Sequence, residues 1–228
     1  MMRVSDLSMF NGARDRVATS KAKMDVATEQ ASTGLRVEHA SDDPAAAARM
    51  VKARMEELRH DNIASTVSQA SDELGAVDGA LGQASNLLVS GISLAVQMAS
   101  SSVTSPERVA AGEQAGSLLD SVVGALNVEL GGRFLLAGFK DSAPPFAASG
   151  YSGDDGVRTA EIAPGVVEPT SIRADSAVLG TGVTGGVDVL GALRDLKTAL
   201  ENDDIPSVRA QIDVLQKAQA QISAAQTA

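Results

Sequence analysis

A chain of 228 residues is long enough to bury a core in one domain or two small ones. Its formal net charge of −10 excludes a surface that tracks phosphates and disfavours anionic bilayers, so neither nucleic acid nor membrane is expected as a partner. Aromatic residues make up only 2%, with no Trp, and Cys is absent, which removes any disulfide or thiolate metal framework. A core of Ala, Val, Leu and Met suits long helical interfaces better than a compact enzyme interior. The N-terminus lacks the apolar core and cleavage site of a secretory signal. No apolar run is expected to reach the ~20 residues of a membrane span, so any exit from the cell would use a route without a cleaved signal.

The first predicted helix covers about residues 4–33. Phe10, Val17 and Met24 stand seven apart and lead to Ala31, with Ala13, Ser20 and Ala27 offset by three. This is a heptad with a large residue at one seam position and a small one at the other, a narrow stripe that needs a partner helix. Gly34 sits where a left-handed helix stop belongs. The next helix is expected to start with Asp43 as N-cap and Pro44 at the first helical position, and Asp42 and Asp43 both favour the positive end of its dipole.

That second helix is predicted to run to about Ser102. Val67, Leu74, Leu81, Leu88 and Ala95 recur every seven residues, and Ile63, Ala70, Val77, Ala84, Gly91 and Met98 fill the alternate seam position. Val51, Met55 and Leu58 fall outside this frame, which predicts a register shift near His60. Sustained heptads favour a coiled coil over an ordinary bundle helix. A third helix is expected after Ser105-Pro106-Glu107, with Ala115, Leu118, Leu119, Val122, Val123, Leu126 and Leu130 on one face. Gly131-Gly132 would end it, and it would lie antiparallel to the second.

Residues 133–186 collect most of the Pro, three of the four Phe and many Gly. Alternating runs at 157–162 and 166–172 flank Pro164-Gly165 and predict a β-hairpin, with Pro169 marking an edge strand. Helices are predicted again at about 187–202 and 206–226, where Val208, Leu215 and Ile222 stand seven apart beside Ile212. The expected fold is mainly α, an elongated antiparallel helical bundle or coiled coil with a small β-rich insert. Its parts would be an N-terminal axial helix (1–34), a helical rod (35–132), the insert (133–186) and returning helices (187–228).

A catalytic or metal-binding constellation is not expected. His39 falls in a linker and His60 on a helix seam near the register shift, with no spacing that pairs them as metal ligands. Asp154-Asp155-Gly156 near Asp141 offers oxygen ligands but not the spacing of a calcium loop, so it reads as a turn. The Gly-rich stretch 180–186 lacks the Lys of a phosphate loop. The basic and acidic residues interleaved over 49–59 read as a solvated face. No enzymatic activity and no cofactor are expected.

The unit STGLRVEHASDDPAAAA, residues 32–48, resembles the N-terminal signature of the flagellin superfamily. GGRFLLAGFKDSAPPF, residues 131–146, is similar to the motif after the third helix in the hook–filament junction branch of that superfamily. Gly132, Arg133, Phe134, Gly138, Pro145 and Phe146 carry that likeness. The resemblance implies a secreted structural protein of the bacterial flagellum, exported through the flagellar type III channel and stacked between hook and filament. The implied partners are copies of itself, the adjacent hook-associated protein, flagellin and an export chaperone. In that family a C-terminal helix pairs with the N-terminal one. This chain stops at Ala228, where that helix would begin, so the final axial helix is expected to be missing and the Phe10/Val17/Met24 stripe to lack that partner. A short filament flagellin is the nearest alternative, and a soluble coiled-coil binding or adaptor protein is the alternative from another class.

Overall fold

A computed structural model describes residues 3–34, 36, 37, 40, 41 and 43–227. The chain divides into two compact units, Met1–Asp61 and Asn62–Ala228. The first holds α1 (Arg3–Thr33), a joint, and the opening turns of α2 (Pro44–Met98). α1 stops at Gly34, whose φ of 70° is left-handed and whose N–H donates to the Gln30 carbonyl at 2.9 Å. α2 starts as Asp43 accepts the Ala46 N–H on its carboxylate at 2.9 Å and the Ala47 N–H on its carbonyl at 2.8 Å. Asp42 and His39 lie outside the described residues.

The second unit contains the rest of α2, α3 (Ser105–Leu126), α4 (Ala174–Leu179), α5 (Val189–Glu201), α6 (Ile205–Gln226) and three two-stranded antiparallel hairpins. Those hairpins are β1 (Glu129–Leu130) with β2 (Arg133–Phe134), β3 (Phe146–Ala147) with β4 (Gly150–Tyr151), and β5 (Thr159–Ala163) with β6 (Val166–Pro169). One core joins Leu81 and Leu88 of α2, Leu119, Val122 and Leu126 of α3, Leu193, Leu196 and Leu200 of α5, and Leu215 and Ile222 of α6. It is built almost entirely from aliphatic side chains, as the lack of aromatics requires.

Hydrogen bonds fix the directions. Arg209 donates to the Ala99 carbonyl at 3.0 Å, Gln219 to the Ser85 hydroxyl at 3.3 Å, and Gln226 to the Asp78 carboxylate at 2.9 Å, so α6 runs antiparallel to α2. α3 also runs back along α2, since Arg108 near its start bonds the Ser100 carbonyl and Arg133 beyond its end reaches Glu73. α3 and α5 approach closely because Gly112 and Gly116 leave room for Glu201 and Lys197; a Cβ on Gly112 would stand 2.8 Å from Glu201 Cγ.

The mainly α fold with a small β insert is as the patterning indicates, and several details differ. α2 ends at Met98 rather than near Ser102. α3 is capped by Thr104, whose N–H and hydroxyl both donate to Glu107 at 2.8 Å, and it ends at Leu126. Gly131 and Gly132, at φ 61° and 78°, form the two-residue turn between β1 and β2, so a boundary at 132/133 cuts a hairpin and Leu130 belongs to a strand. Two successive positive φ values make the tight turn that matches strand twist, which is a hairpin signal rather than a helix stop. The six-residue α4 falls inside the expected β segment. α2 runs through His60, which is exposed rather than on a covered seam. The stretch from Gly79 to Met98 carries no charged residue, so α2 is long and apolar enough to cross a membrane by length and composition. Leu81, Ala84, Leu88, Leu94 and Ala95 of that stretch lie in the helical core.

Candidate assembly surface

α1 presents a bare apolar stripe. Phe10, Val17 and Met24 are 67%, 69% and 69% exposed, and every described α1 side chain from Leu7 onward is exposed. Three hydroxyls, of Thr19, Thr28 and Thr33, satisfy themselves by donating to the carbonyl one turn back. In water such a helix gains nothing from its seam, which leaves that apolar area available to a partner.

The joint that ends this stripe is held by short-range polar contacts. Arg36 Nη2 lies 3.1 Å from Asp43 Oδ2, and Gln30 Nε2 donates to the Arg36 carbonyl at 3.0 Å. The Ala46 N–H, and after it the Arg36 guanidinium, hold the Asp43 carboxyl below the usual carboxylate range. Gly34, Asp43 and Pro44 therefore shape and cap the chain here.

The α2 seam changes character along its length. Leu81 and Leu88 are fully buried, whereas Val67 and Leu74 are 39% and 38% exposed. Beside these two a groove of about 650 Å³ opens, floored by Val67, Ala70, Leu74 and Leu81 and walled by Ile162 and Pro169 of the β5–β6 hairpin. Asp78 and Glu168 are its charged lining residues. Val51, Met55 and Leu58, in the first unit, are exposed as well.

The 131–146 motif forms a wired scaffold. Arg133 pairs with Glu73 of α2 and lies 3.9 Å from Asp141, which also pairs with Arg158. The Phe134 N–H donates to the Asp141 carbonyl at 3.0 Å. Gly138, at φ 69°, lies so close to Asp154 that a Cβ would meet its carbonyl oxygen at 2.7 Å. Asp154 Oδ1 accepts N–H bonds from Phe139 at 2.8 Å and Gly156 at 3.0 Å, which in that order hold its carboxyl below the usual range. This carboxylate therefore closes a turn. Among the described residues no three His, Cys, Asp or Glu side chains converge on a metal position.

Pro145 and Phe146 are buried, and Phe146 packs against Tyr151 with ring centroids 4.9 Å apart. The Tyr151 hydroxyl donates toward the carbonyls of Leu136 at 3.1 Å and Asp154 at 2.9 Å. Burial first, then the carboxylates of Asp154, Asp175 and Asp155, push its pKa up to about 12. Asn127 grips the Phe146 backbone from both sides, donating to its carbonyl at 2.8 Å and accepting its N–H at 2.9 Å. Neither Asn127 nor Tyr151 stands out in the sequence, because each acts across loops with no fixed spacing. The same holds for Arg108, 6% exposed, which pairs with Asp203 and donates to the Val103 carbonyl at 2.6 Å.

The described residues thus present an exposed heptad stripe on α1, a capped joint before α2 and a small helical bundle in the second unit. The chain belongs to the bacterial flagellin family: the model of the bacterial flagellin N-terminal helical region matches residues 4–141, from α1 into the wired scaffold. Among curated proteins it is 26% identical over 157 residues to flagellar hook-associated protein 3 of Salmonella typhimurium, covering 68% of this chain and 50% of that protein. The chain thus spans about half the length of the curated relative it matches. A solved flagellar hook-associated protein of Vibrio parahaemolyticus superposes with a TM-score of 0.72 at 23% identity, covering 83% of this chain and 87% of that one. FlgL of Bacillus cereus superposes with a TM-score of 0.66 at 18% identity over 79% of this chain and 87% of its own. At these identities the two structures establish a shared fold.

Proposed function

We propose that this chain is a structural subunit of the bacterial flagellum, placed at the hook–filament junction after export through the flagellar type III channel, and that it catalyses no reaction. The observation that carries this reading is the bare Phe10–Val17–Met24 stripe on α1, which lies inside the segment matched by the flagellin family. Such a stripe acquires its partner on assembly, so ordering and association become one event. α1 acts as the axial assembly element. The joint at Gly34, Asp43 and Pro44 separates it from the rod, and the 131–146 scaffold fixes the β-rich insert to α2. Copies of itself, the adjacent hook-associated protein, flagellin and an export chaperone are the proposed partners, with no role for nucleic acid or membrane. The junction is preferred over the filament because the curated relative is hook-associated protein 3.

A short filament flagellin is the second reading, favoured by the family model itself, which describes flagellin's own N-terminal region. Electron microscopy of a strain lacking the gene separates the two. The junction role predicts bare hooks with flagellin monomers released to the medium. Absence of both filament and exported monomer identifies the chain as the filament subunit, and normal filaments overturn both readings.

A further inference from the structure

The two oxygens of one carboxylate at the joint between α1 and α2 have different partners. Asp43 Oδ1 accepts the Ala46 N–H at 2.9 Å, which caps the first turn of α2. Asp43 Oδ2 lies 3.1 Å from Arg36 Nη2, seven residues back along the chain. Arg36 is in turn tied to α1. Its carbonyl accepts from Gln30 Nε2 at 3.0 Å, and the Gln30 carbonyl accepts the Gly34 N–H at 2.9 Å. Hydrogen bonds therefore run from Gly34 through Gln30, Arg36 and Asp43 to Ala46, linking the end of α1 to the start of α2 inside the first unit. We propose that Asp43 is a releasable clasp: its bond to Arg36 sets the direction in which α1 leaves α2, and letting go of Arg36 frees that direction while α2 stays capped. The clasp works within one chain and does not depend on what that chain assembles with.

The two bonds to Asp43 differ in how easily they break. The Ala46 N–H has no partner within its own helix, so losing the carboxylate would leave it unsatisfied. The Arg36 side chain is 70% exposed and that of Asp43 30%, so their ion pair is weak and screened by salt. A bond of this kind biases a direction without locking it. The Ala46 N–H, and then Arg36, hold the Asp43 carboxyl below its ordinary 3.8, so the clasp is charged at neutral pH. Exposure also opens Arg36 to a competing carboxylate from outside the chain, which releases the clasp without unfolding either helix.

The test places spin labels on the full chain at Asp25→Cys in α1 and Ala53→Cys in α2, both exposed positions in a chain with no native cysteine. Double electron–electron resonance should give a single narrow distance peak when the joint is otherwise unaltered. Arg36→Ala should abolish that narrow peak while leaving amide exchange at Ala46 unchanged by NMR. Asp43→Asn keeps a side-chain oxygen for the Ala46 N–H but loses the charge, and should behave like Arg36→Ala. Asp43→Ala should lose both the narrow peak and the protection at Ala46. Added salt should broaden the unaltered joint and leave Arg36→Ala as it was. A distribution already as broad as that of Arg36→Ala overturns the clasp, as does a narrow peak retained by Asp43→Asn. Faster exchange at Ala46 in Arg36→Ala would show that cap and clasp cannot be separated, and overturns the release.

Discussion

Tyr151 is the chain's single tyrosine, so its ionisation can be followed without interference. Its folded pKa of about 12 lies above the ordinary 10.0, which means that folding favours the neutral phenol. The stability this contributes is complete below pH 10.0 and is lost as pH rises toward about 12. Phenolate absorbance should therefore appear only near pH 12, together with loss of structure in the second unit; titration near the free value would contradict the buried placement. Tyr151→Phe removes the hydroxyl shared by Leu136 and Asp154 and should cost about 1–2 kcal/mol in urea unfolding. At the other end of the bundle, Arg108→Ala strips the buried side chain from Val103 and Asp203 and should cost about 2–4 kcal/mol. Asp203 takes the other half of that clamp in a left-handed conformation, φ 55°, the one described non-glycine residue that does. Hydrogen bonding from Arg108 holds its carboxyl low, as Arg173 does for buried Asp175. Depressed carboxyls stabilise the fold above the ordinary value of 3.8 and lose that contribution as pH falls below it. Acid unfolding should accordingly begin below about pH 3.8 and move upward in Arg108→Ala.

At the scale of elements, glycines separate turns from packing. Gly131 and Gly138 share a positive φ, but Gly131 faces open space while Gly138 is pressed against Asp154. Ala at Gly131 should cost about 1 kcal/mol, and at Gly138 about 2–4 kcal/mol, read as the difference in thermal melting between the two variants. Gly124, in the last turn of α3 with nothing near its missing Cβ, should accept Ala with a gain of up to about 0.5 kcal/mol. Helix content and the β5–β6 hairpin were legible because periodicity and the Pro-Gly turn are local signals. The end of α3 was not, because Gly-Gly terminates a helix or turns a hairpin with equal ease, and the pairing of Leu130 with Arg133 decides which. The close approach of α3 to α5 was hidden as well: Gly112 and Gly116 announce a gap but not its occupant. Heptads showed where seams run on α1 and α2, while burial divides the α2 seam between a covered part at Leu81 and Leu88 and an open part at Val67 and Leu74.

Over the whole molecule, the polar wiring and the apolar surface have different tasks. Arg133, Asp141, Arg158, Tyr151 and Asn127 fasten the insert to the helices of the second unit. Exposed apolar side chains remain on α1, at Val51, Met55 and Leu58, and at Val67 and Leu74, and under the proposed function those on α1 serve contacts between chains. Charge on α1 should therefore impair assembly without lowering the melting temperature of the second unit, and Gly138→Ala should do the reverse. Fractionation of purified hook–basal bodies tests the central claim most directly. A structural junction subunit should be present there in small amounts at a fixed ratio to hook protein, and should be lost from that fraction in Val17→Asp. A protein found only in the cytosol, or present as the bulk of the filament, would contradict it.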